Sequence, residues 1–78
     1  MNKSLIIGKL YKALCIYETS REDYYKYLET LLVWLNGVKK NEINEQVIII
    51  IRGLNKLGTE ATHYMVKASI FQAIDLVK

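Results

Sequence analysis

Apolar residues recur along this 78-residue chain at alternating steps of three and four, the spacing that keeps one face of an α-helix apolar. The five consecutive β-branched residues at positions 47–51 would favour a strand by composition. A strand alternates with a period of two, however, and the surrounding apolar positions do not follow that period. We therefore predict a helix in this region. Its buried side is expected to contain Ile43, Val47, Ile50, Leu54 and Leu57.

Boundary signals divide the chain into four helices. Ser20 and Asn41 have the side chains of N-cap residues and precede acidic residues, and Thr59 can cap a last helix in the same way. Gly37 and Gly58 stand where a residue in the left-handed conformation can end a helix. The chain is therefore predicted to form a single all-α domain, residues 1–78. Its helices are expected at residues 3–18, 21–36, 42–57 and 60–77.

The third and fourth helices have more apolar residues than one buried face requires. Ile48 and Ile49 lie off the predicted buried side of the third helix. The fourth helix has two apolar rows, one with Val66, Ile70 and Ile74 and the other with Tyr64 and Phe71. A large exposed apolar patch is unusual on a monomer, so we predict a compact four-helix bundle that forms a homodimer. The predicted oligomer interface contains Ile48, Ile49, Val66, Ile70 and Ile74. The row with Tyr64 and Phe71 is the alternative contribution of the fourth helix.

The second helix has two aromatic residues outside its main apolar row. Tyr27 and Trp34 are seven residues apart, which places them on the same side of the helix. Lys9 and Lys12 likewise lie off the apolar row of the first helix. Because aromatic residues are frequent anchors of protein interfaces, Tyr27 and Trp34 are the predicted partner-binding residues.

Composition restricts the class of protein. The chain is 51% hydrophobic with a mean hydropathy of +0.06, yet its longest largely apolar stretch without a charge, residues 31–38, is far shorter than the roughly 20 residues of a membrane-spanning helix. Lys9 and Lys12 interrupt the N-terminal apolar segment before it reaches the length of a signal-peptide core. Cys15 is the only cysteine, which agrees with a reducing compartment. We predict a cytoplasmic protein without membrane segments.

Residues suited to catalysis or metal binding are few. His63 is the only histidine, and neither Thr59 nor Thr62 has an acidic residue at a spacing that indicates a catalytic triad. Cys15 and His63 are too few to complete a zinc site, and the glycines occur singly rather than in a phosphate-binding loop. We predict no enzymatic activity and no cofactor.

A formal net charge of +3 and a pI near 9.0 make nucleic-acid binding the next class to consider. The last two helices could form a helix-turn-helix around Gly58. However, Leu54 stands where such motifs usually have a small residue, and Glu60 would bring negative charge towards the phosphates. The residues available to this site are Lys39, Lys40, Thr62, His63 and Lys67.

Taken together, these patterns predict a non-catalytic protein that acts by binding another macromolecule. The leading hypothesis is a regulatory or inhibitory protein–protein interaction module. The alternative is a DNA-binding regulator that uses the last two helices. Salt dependence distinguishes the two, because phosphate contacts weaken steeply as the salt concentration rises and an apolar interface changes little.

Overall fold

The structure, a computed structural model, describes residues 3–78 and confirms the predicted all-helical fold. No strand occurs in this part of the chain, so the isoleucine run lies inside a helix. A short 3-10 turn at Gly58–Glu60 precedes the last helix. The helices are α1 (Lys3–Thr19), α2 (Arg21–Gly37), α3 (Glu42–Leu57) and α4 (His63–Val77).

Side-chain caps start three of the helices. The Ser20 hydroxyl accepts a hydrogen bond from the backbone N–H of Asp23 at 3.2 Å, and the Asn41 amide oxygen accepts one from Asn44 at 2.8 Å, which confirms both predicted N-caps. The predicted cap at Thr59 is wrong. The 3-10 turn delays the start of α4, and Thr62 caps that helix instead.

The two predicted glycine stops behave differently. Gly58 has a φ of +53° and ends α3, as predicted, and no other residue from 3 to 78 has a φ in this positive range. The left-handed conformation predicted for Gly37 is wrong. Gly37 is the last residue of α2, and the helix ends because Val38 is extended while its N–H still donates to the Leu35 carbonyl at 3.2 Å.

The four helices pack as a ring in which each contacts two neighbours. Along the chain α1 packs against α2, α2 against α3 and α3 against α4, and α4 closes the ring by packing against α1. The short connections make sequential neighbours antiparallel, as in other up-and-down bundles. The radius of gyration of 11.4 Å is that of a compact domain of this length. One row of buried residues from each helix fills the centre.

The buried side of α3 is rotated from the predicted one, of which only Val47 and Leu54 are buried. Ile51 is fully buried, whereas Ile50 is only half-buried and both Ile43 and Leu57 are exposed. Because isoleucine occupies every angle around this part of the helix, the apolar pattern alone could not define which side faces the core. The residues of α3 that are buried are Asn44, Val47, Ile48, Ile51 and Leu54.

Asn44 is the one polar residue in the buried set, and its environment explains why. Its side-chain amide donates to the backbone carbonyl of Lys39 at 2.7 Å, which joins the start of α3 to the connection from α2. A buried amide is tolerated when it makes such a bond. This contact fixes the rotation of α3 at its first turn.

Candidate protein-binding surfaces

The structure corrects the predicted oligomer interface. Val66, Ile70 and Ile74 are buried in the core of the single chain, and so is Ile48. These four side chains are therefore not on the surface where a second chain could contact them. Of the predicted interface residues only Ile49 is exposed, at 63%.

The second apolar row of α4, the alternative considered from the sequence, lies on the surface. Tyr64 is 78% exposed and Phe71 is 46% exposed. Tyr11 of α1, 41% exposed, contacts Phe71 edge to face with the ring centroids 6.4 Å apart. We call these three residues the aromatic face. They form a surface shared by α1 and α4.

The outward row of α4 combines large, small and acidic side chains. Ala68 lies between Tyr64 and Phe71, and Asp75 follows one turn after Phe71. Ala68 and Asp75 are both exposed. Asp75 makes no ion pair within residues 3–78. The row therefore presents aromatic rings, a small side chain between them and an unpaired carboxylate.

Tyr27 and Trp34 lie at the contact between α2 and α1, where both are half-buried. The Tyr27 hydroxyl donates to the backbone carbonyl of Lys9 at 2.7 Å. The Lys9 ammonium lies 4.7 Å from the centroid of the Trp34 ring, and the Lys12 ammonium 5.7 Å from that of Tyr27. We call these four residues the lysine groove. The predicted partner-binding aromatics are thus partly covered by cations of their own chain.

The lysine groove has two positively charged groups of its own, the ammonium groups of Lys9 and Lys12. Burial raises the pKa of the Tyr27 hydroxyl, so this group remains a neutral hydrogen-bond donor at physiological pH. Within residues 3–78 neither Lys9 nor Lys12 is within ion-pair distance of a carboxylate. The two ammonium groups are stabilised by the faces of the aromatic rings.

Polar contacts join the end of α1 to the start of α4. The Lys67 ammonium lies 3.0 Å from a Glu18 carboxylate oxygen, and His63 Nε2 lies 3.9 Å from the same oxygen. The hydrogen bond and positive charge of Lys67 lower the pKa of the Glu18 carboxyl. The His63 ring also packs at 5.3 Å from the ring of Tyr17. These groups are engaged with one another in the folded chain.

The residues of the predicted DNA site are not brought together. Lys39 and Lys40 lie in the connection before α3, whereas Thr62, His63 and Lys67 lie beyond its other end. At 1.5 Å per residue, α3 separates these groups by roughly 24 Å. Thr62 is used as a helix cap and Lys67 is paired with Glu18.

The described residues offer neither a metal-binding cluster nor a membrane helix. Between positions 3 and 78 no three His, Cys, Asp or Glu residues are placed to hold a metal ion. None of the helices in that range has the length and hydropathy needed to cross a bilayer.

Two features of these surfaces are not among the predictions from the sequence. Tyr11 was not assigned to any site, because only the position of α4 beside α1 shows that it meets Phe71. Lys9 and Lys12 were placed away from the apolar row without a partner. Their spacing of three residues, beside aromatics seven residues apart on the next helix, is a signal that could have indicated the lysine groove.

Comparison of this chain with models of protein families, with curated protein sequences and with solved structures finds no match.

Proposed function

We propose that this protein is a non-catalytic module that acts by binding another protein in a regulatory or inhibitory role, and that it does so as a symmetric homodimer. The observation that supports the proposal is the aromatic face, where Tyr64 is 78% exposed about two turns along α4 from the exposed pair of Tyr11 and Phe71. Aromatic side chains are favoured at the centres of protein interfaces. Leaving three of them in water is unfavourable unless another molecule covers them.

The exposed area is appropriate for a contact between two chains. A large aromatic side chain has roughly 200 Å² of accessible surface, so the exposed fractions amount to on the order of 300 Å² of aromatic surface per chain. A two-fold contact would bury this area on both chains, and thus twice the area in total, from three side chains of each chain. That is about half of the ~1,200 Å² at which stable interfaces begin, before the flanking residues are included.

The outward row of α4 is complementary to a second copy of itself. In an antiparallel pairing of two α4 helices centred between residues 68 and 71, Phe71 of one chain packs over Ala68 of the other. The same symmetry brings the Tyr64 hydroxyl towards the unpaired carboxylate of Asp75. Large residues meet small ones and a donor meets an acceptor, as a two-fold interface requires.

The test is the mass of the protein in solution, measured by light scattering after size-exclusion chromatography. We expect the wild-type chain to be a dimer at ~100 μM, far above the ~1 μM dissociation constant of a moderate interface. The double variant Tyr64→Ser, Phe71→Ser should be a folded monomer with unchanged helical circular dichroism. Val33→Ser is the matched control, because Val33 is exposed on α2, away from this face, and it should remain dimeric.

A wild-type chain that is monomeric at this concentration would refute the dimer. Equal dissociation of the Val33→Ser control would show that the aromatic face is not the contact. The protein-binding role is tested separately by capturing partners from the host lysate with wild-type and variant chains immobilised side by side. The role is supported if a protein is captured by the wild type and is captured less by variants of one surface. It is contradicted if no surface variant changes the amount captured.

A further inference from the structure

We propose that the lysine groove binds an acidic segment of a partner protein, with carboxylates of that segment pairing with Lys9 and Lys12. The inference rests on the proposed protein-binding function and names the surface and the chemical class of the partner. It does not depend on the dimer, because the groove lies between α1 and α2 whereas the aromatic face lies between α1 and α4.

The charge at the centre of the groove, between Tyr27 and Trp34, has one sign; Asp23, one turn before Tyr27 on the same side of α2, lies outside this centre. Residues 3–17 of α1 include three lysines and no acidic residue, and residues 30–38, which contain Trp34, are uncharged. Glu29 lines a cavity with Tyr25 and Asn55, so its carboxylate belongs to the opposite side of α2, towards α3. An acidic segment would therefore meet two unpaired cations and no carboxylate at the centre of the groove.

Both cations already contact aromatic rings before any partner binds. Each ammonium lies over an aromatic ring, and the Tyr27 hydroxyl ties α2 to the backbone of Lys9. A lysine that is already ordered loses less conformational entropy when it pairs with a carboxylate. Lys9 and Lys12 are also three residues apart, so their side chains are neighbours on one side of α1. The pair matches two carboxylates on adjacent turns of a partner helix.

A nucleic acid fits the same surface less well. Specific and non-specific binding to DNA generally uses many phosphate contacts, often six or more, whereas this groove has two cations. Single-stranded nucleic acids bind by stacking bases on aromatic faces. Here the faces of Tyr27 and Trp34 are already occupied by the ammonium groups of Lys12 and Lys9.

An anionic membrane is also a weaker match. Recognition of acidic lipids by charge typically requires a cluster of about four to eight basic residues. Binding in the interfacial plane further requires apolar side chains that can enter the bilayer. Tyr27 and Trp34 are half-buried against α1 and are not free to do so.

The binding experiment uses a fluorescein-labelled, helix-forming peptide that has pairs of glutamates three and four residues apart and no aromatic residue. The control peptide has glutamine at the same positions. Binding is measured by fluorescence anisotropy, and Trp34, the only tryptophan of the chain, reports contact at the groove through its emission. We expect the glutamate peptide to bind saturably and to change the Trp34 emission. The glutamine peptide should bind at least about tenfold more weakly.

Variants of the protein locate the contact. Lys9→Gln, Lys12→Gln should weaken binding of the glutamate peptide at least about tenfold, whereas Lys26→Gln, Lys56→Gln removes the same charge elsewhere and should change it less than about threefold. Lys9→Arg, Lys12→Arg keeps both charges and should restore binding, which separates charge recognition from a loss of folding. Circular dichroism confirms that each variant is folded.

Three outcomes would overturn the proposal. The first is equal weakening by the two glutamine double variants, and the second is equal binding of the two peptides. The third is tighter binding of a labelled oligothymidine or of phosphatidylserine vesicles than of the glutamate peptide. The variant Tyr64→Ser, Phe71→Ser should bind the peptide like the wild type. The two proposals can therefore fail independently: peptide binding can be absent in an intact dimer, and a monomer can still bind the peptide.

Discussion

Tyr24 is a buried residue of the described part of the chain whose polar group lacks a hydrogen-bond partner. Its ring lies in the core and packs edge to face on Tyr17, with the centroids 4.9 Å apart. Its hydroxyl is buried and has no hydrogen-bond partner. Burial, with smaller contributions from Tyr17 and Tyr25, raises the pKa of Tyr24 to about 12. The folded state thus strongly disfavours the phenolate.

Alkaline pH is expected to destabilise the fold through Tyr24. Between about pH 10 and pH 12 the unfolded chain loses this proton while the folded chain keeps it, so the free energy of unfolding falls as the pH rises. The limiting slope for one group is about 1.4 kcal/mol per pH unit. Urea denaturation between pH 8 and pH 12, with pH values set to bracket the usual tyrosine pKa of about 10, measures this fall.

Tyr24→Phe should make that pH dependence shallower, because the substitution removes the ionising group and keeps the ring. At neutral pH it should leave the stability unchanged or raise it by up to ~1 kcal/mol, since it removes an unsatisfied buried hydroxyl. Val33→Ser, which alters an exposed side chain that does not ionise, is the control and should keep the wild-type pH dependence. A loss of more than ~1 kcal/mol at neutral pH in Tyr24→Phe would mean that the hydroxyl has a partner.

At the scale of single elements, helix α3 shows what the sequence could and could not predict. The period of the apolar residues and the cap at Asn41 correctly predicted a helix despite its β-branched residues, because burial outweighs their small loss of helix propensity. The same abundance of isoleucine left the rotation of the helix undefined. That rotation depends on the packing of α2 and α4 and on the bond from Asn44 to Lys39, and none of these is encoded in the period of α3.

The rotation of α3 can be tested with two isoleucines two positions apart. Ile51→Ala should lower the free energy of unfolding by roughly 2–5 kcal/mol, because it leaves a cavity in the core. Ile49→Ala should change it by no more than about 0.5 kcal/mol, because that side chain is exposed. Urea denaturation at one protein concentration provides both values. A larger effect at position 49 than at position 51 would contradict the observed rotation.

Two glycines of the α3 region should respond to alanine with opposite signs. An added Cβ at either Gly53 or Gly58 meets no heavy atom within 4 Å, so steric contact does not distinguish them. Gly53 lies inside α3, where alanine should raise the stability by about 0.5–1 kcal/mol. Gly58 has a φ of +53°, so alanine there should lower it by about 1–3 kcal/mol. Thermal or urea denaturation of both variants measures the difference, and effects of the same sign would contradict this account.

At the scale of the whole molecule, the sequence predicted the number of helices and the presence of surplus apolar residues, but not which surplus is exposed. Both rows of α4 are apolar, and only the placement of α4 against α1 and α3 decides that Ile70 is buried and Phe71 is not. Tyr27 and Trp34 were predicted to be free because nothing in the sequence of α2 shows that α1 would cover them. The surfaces are therefore products of the ring arrangement.

The proposed dimer predicts a melting temperature that depends on protein concentration. When folding and association are linked, mass action stabilises the folded dimer as the concentration rises. Differential scanning calorimetry from ~5 to ~500 μM, a range on both sides of a moderate dissociation constant, should show this rise for the wild type. The variant Tyr64→Ser, Phe71→Ser should melt at a constant temperature. A wild-type melting temperature that does not change across the range would contradict the dimer.

The turn at Ser20 joins two 17-residue helices through a single residue that is not helical. Helical hydrogen bonding continues on both sides of it, since the Ser20 N–H donates to Ile16 and the Ser20 carbonyl accepts from Tyr24. Between these two bonds, side-chain hydrogen bonds take the place of backbone ones. The Ser20 hydroxyl accepts from the Asp23 N–H, and the Arg21 guanidinium donates to the Tyr17 carbonyl. Ser20 itself is extended, with φ −153° and ψ 116°, so a change of this one residue to helical angles separates the turn from one continuous helix.

Such a helix, running from residue 3 to residue 37, would be about 50 Å long and could not fold back on itself. Two opened chains would then have to exchange their first helices, which is domain swapping. Ser20→Ala removes the cap that holds the turn closed, a loss of about 0.5–2 kcal/mol. We expect this variant to form an elongated species that small-angle X-ray scattering resolves from the compact bundle. We therefore expect Ser20 to protect the chain from intertwining with its own copies, and an elongated species equally abundant in the wild type would refute that role.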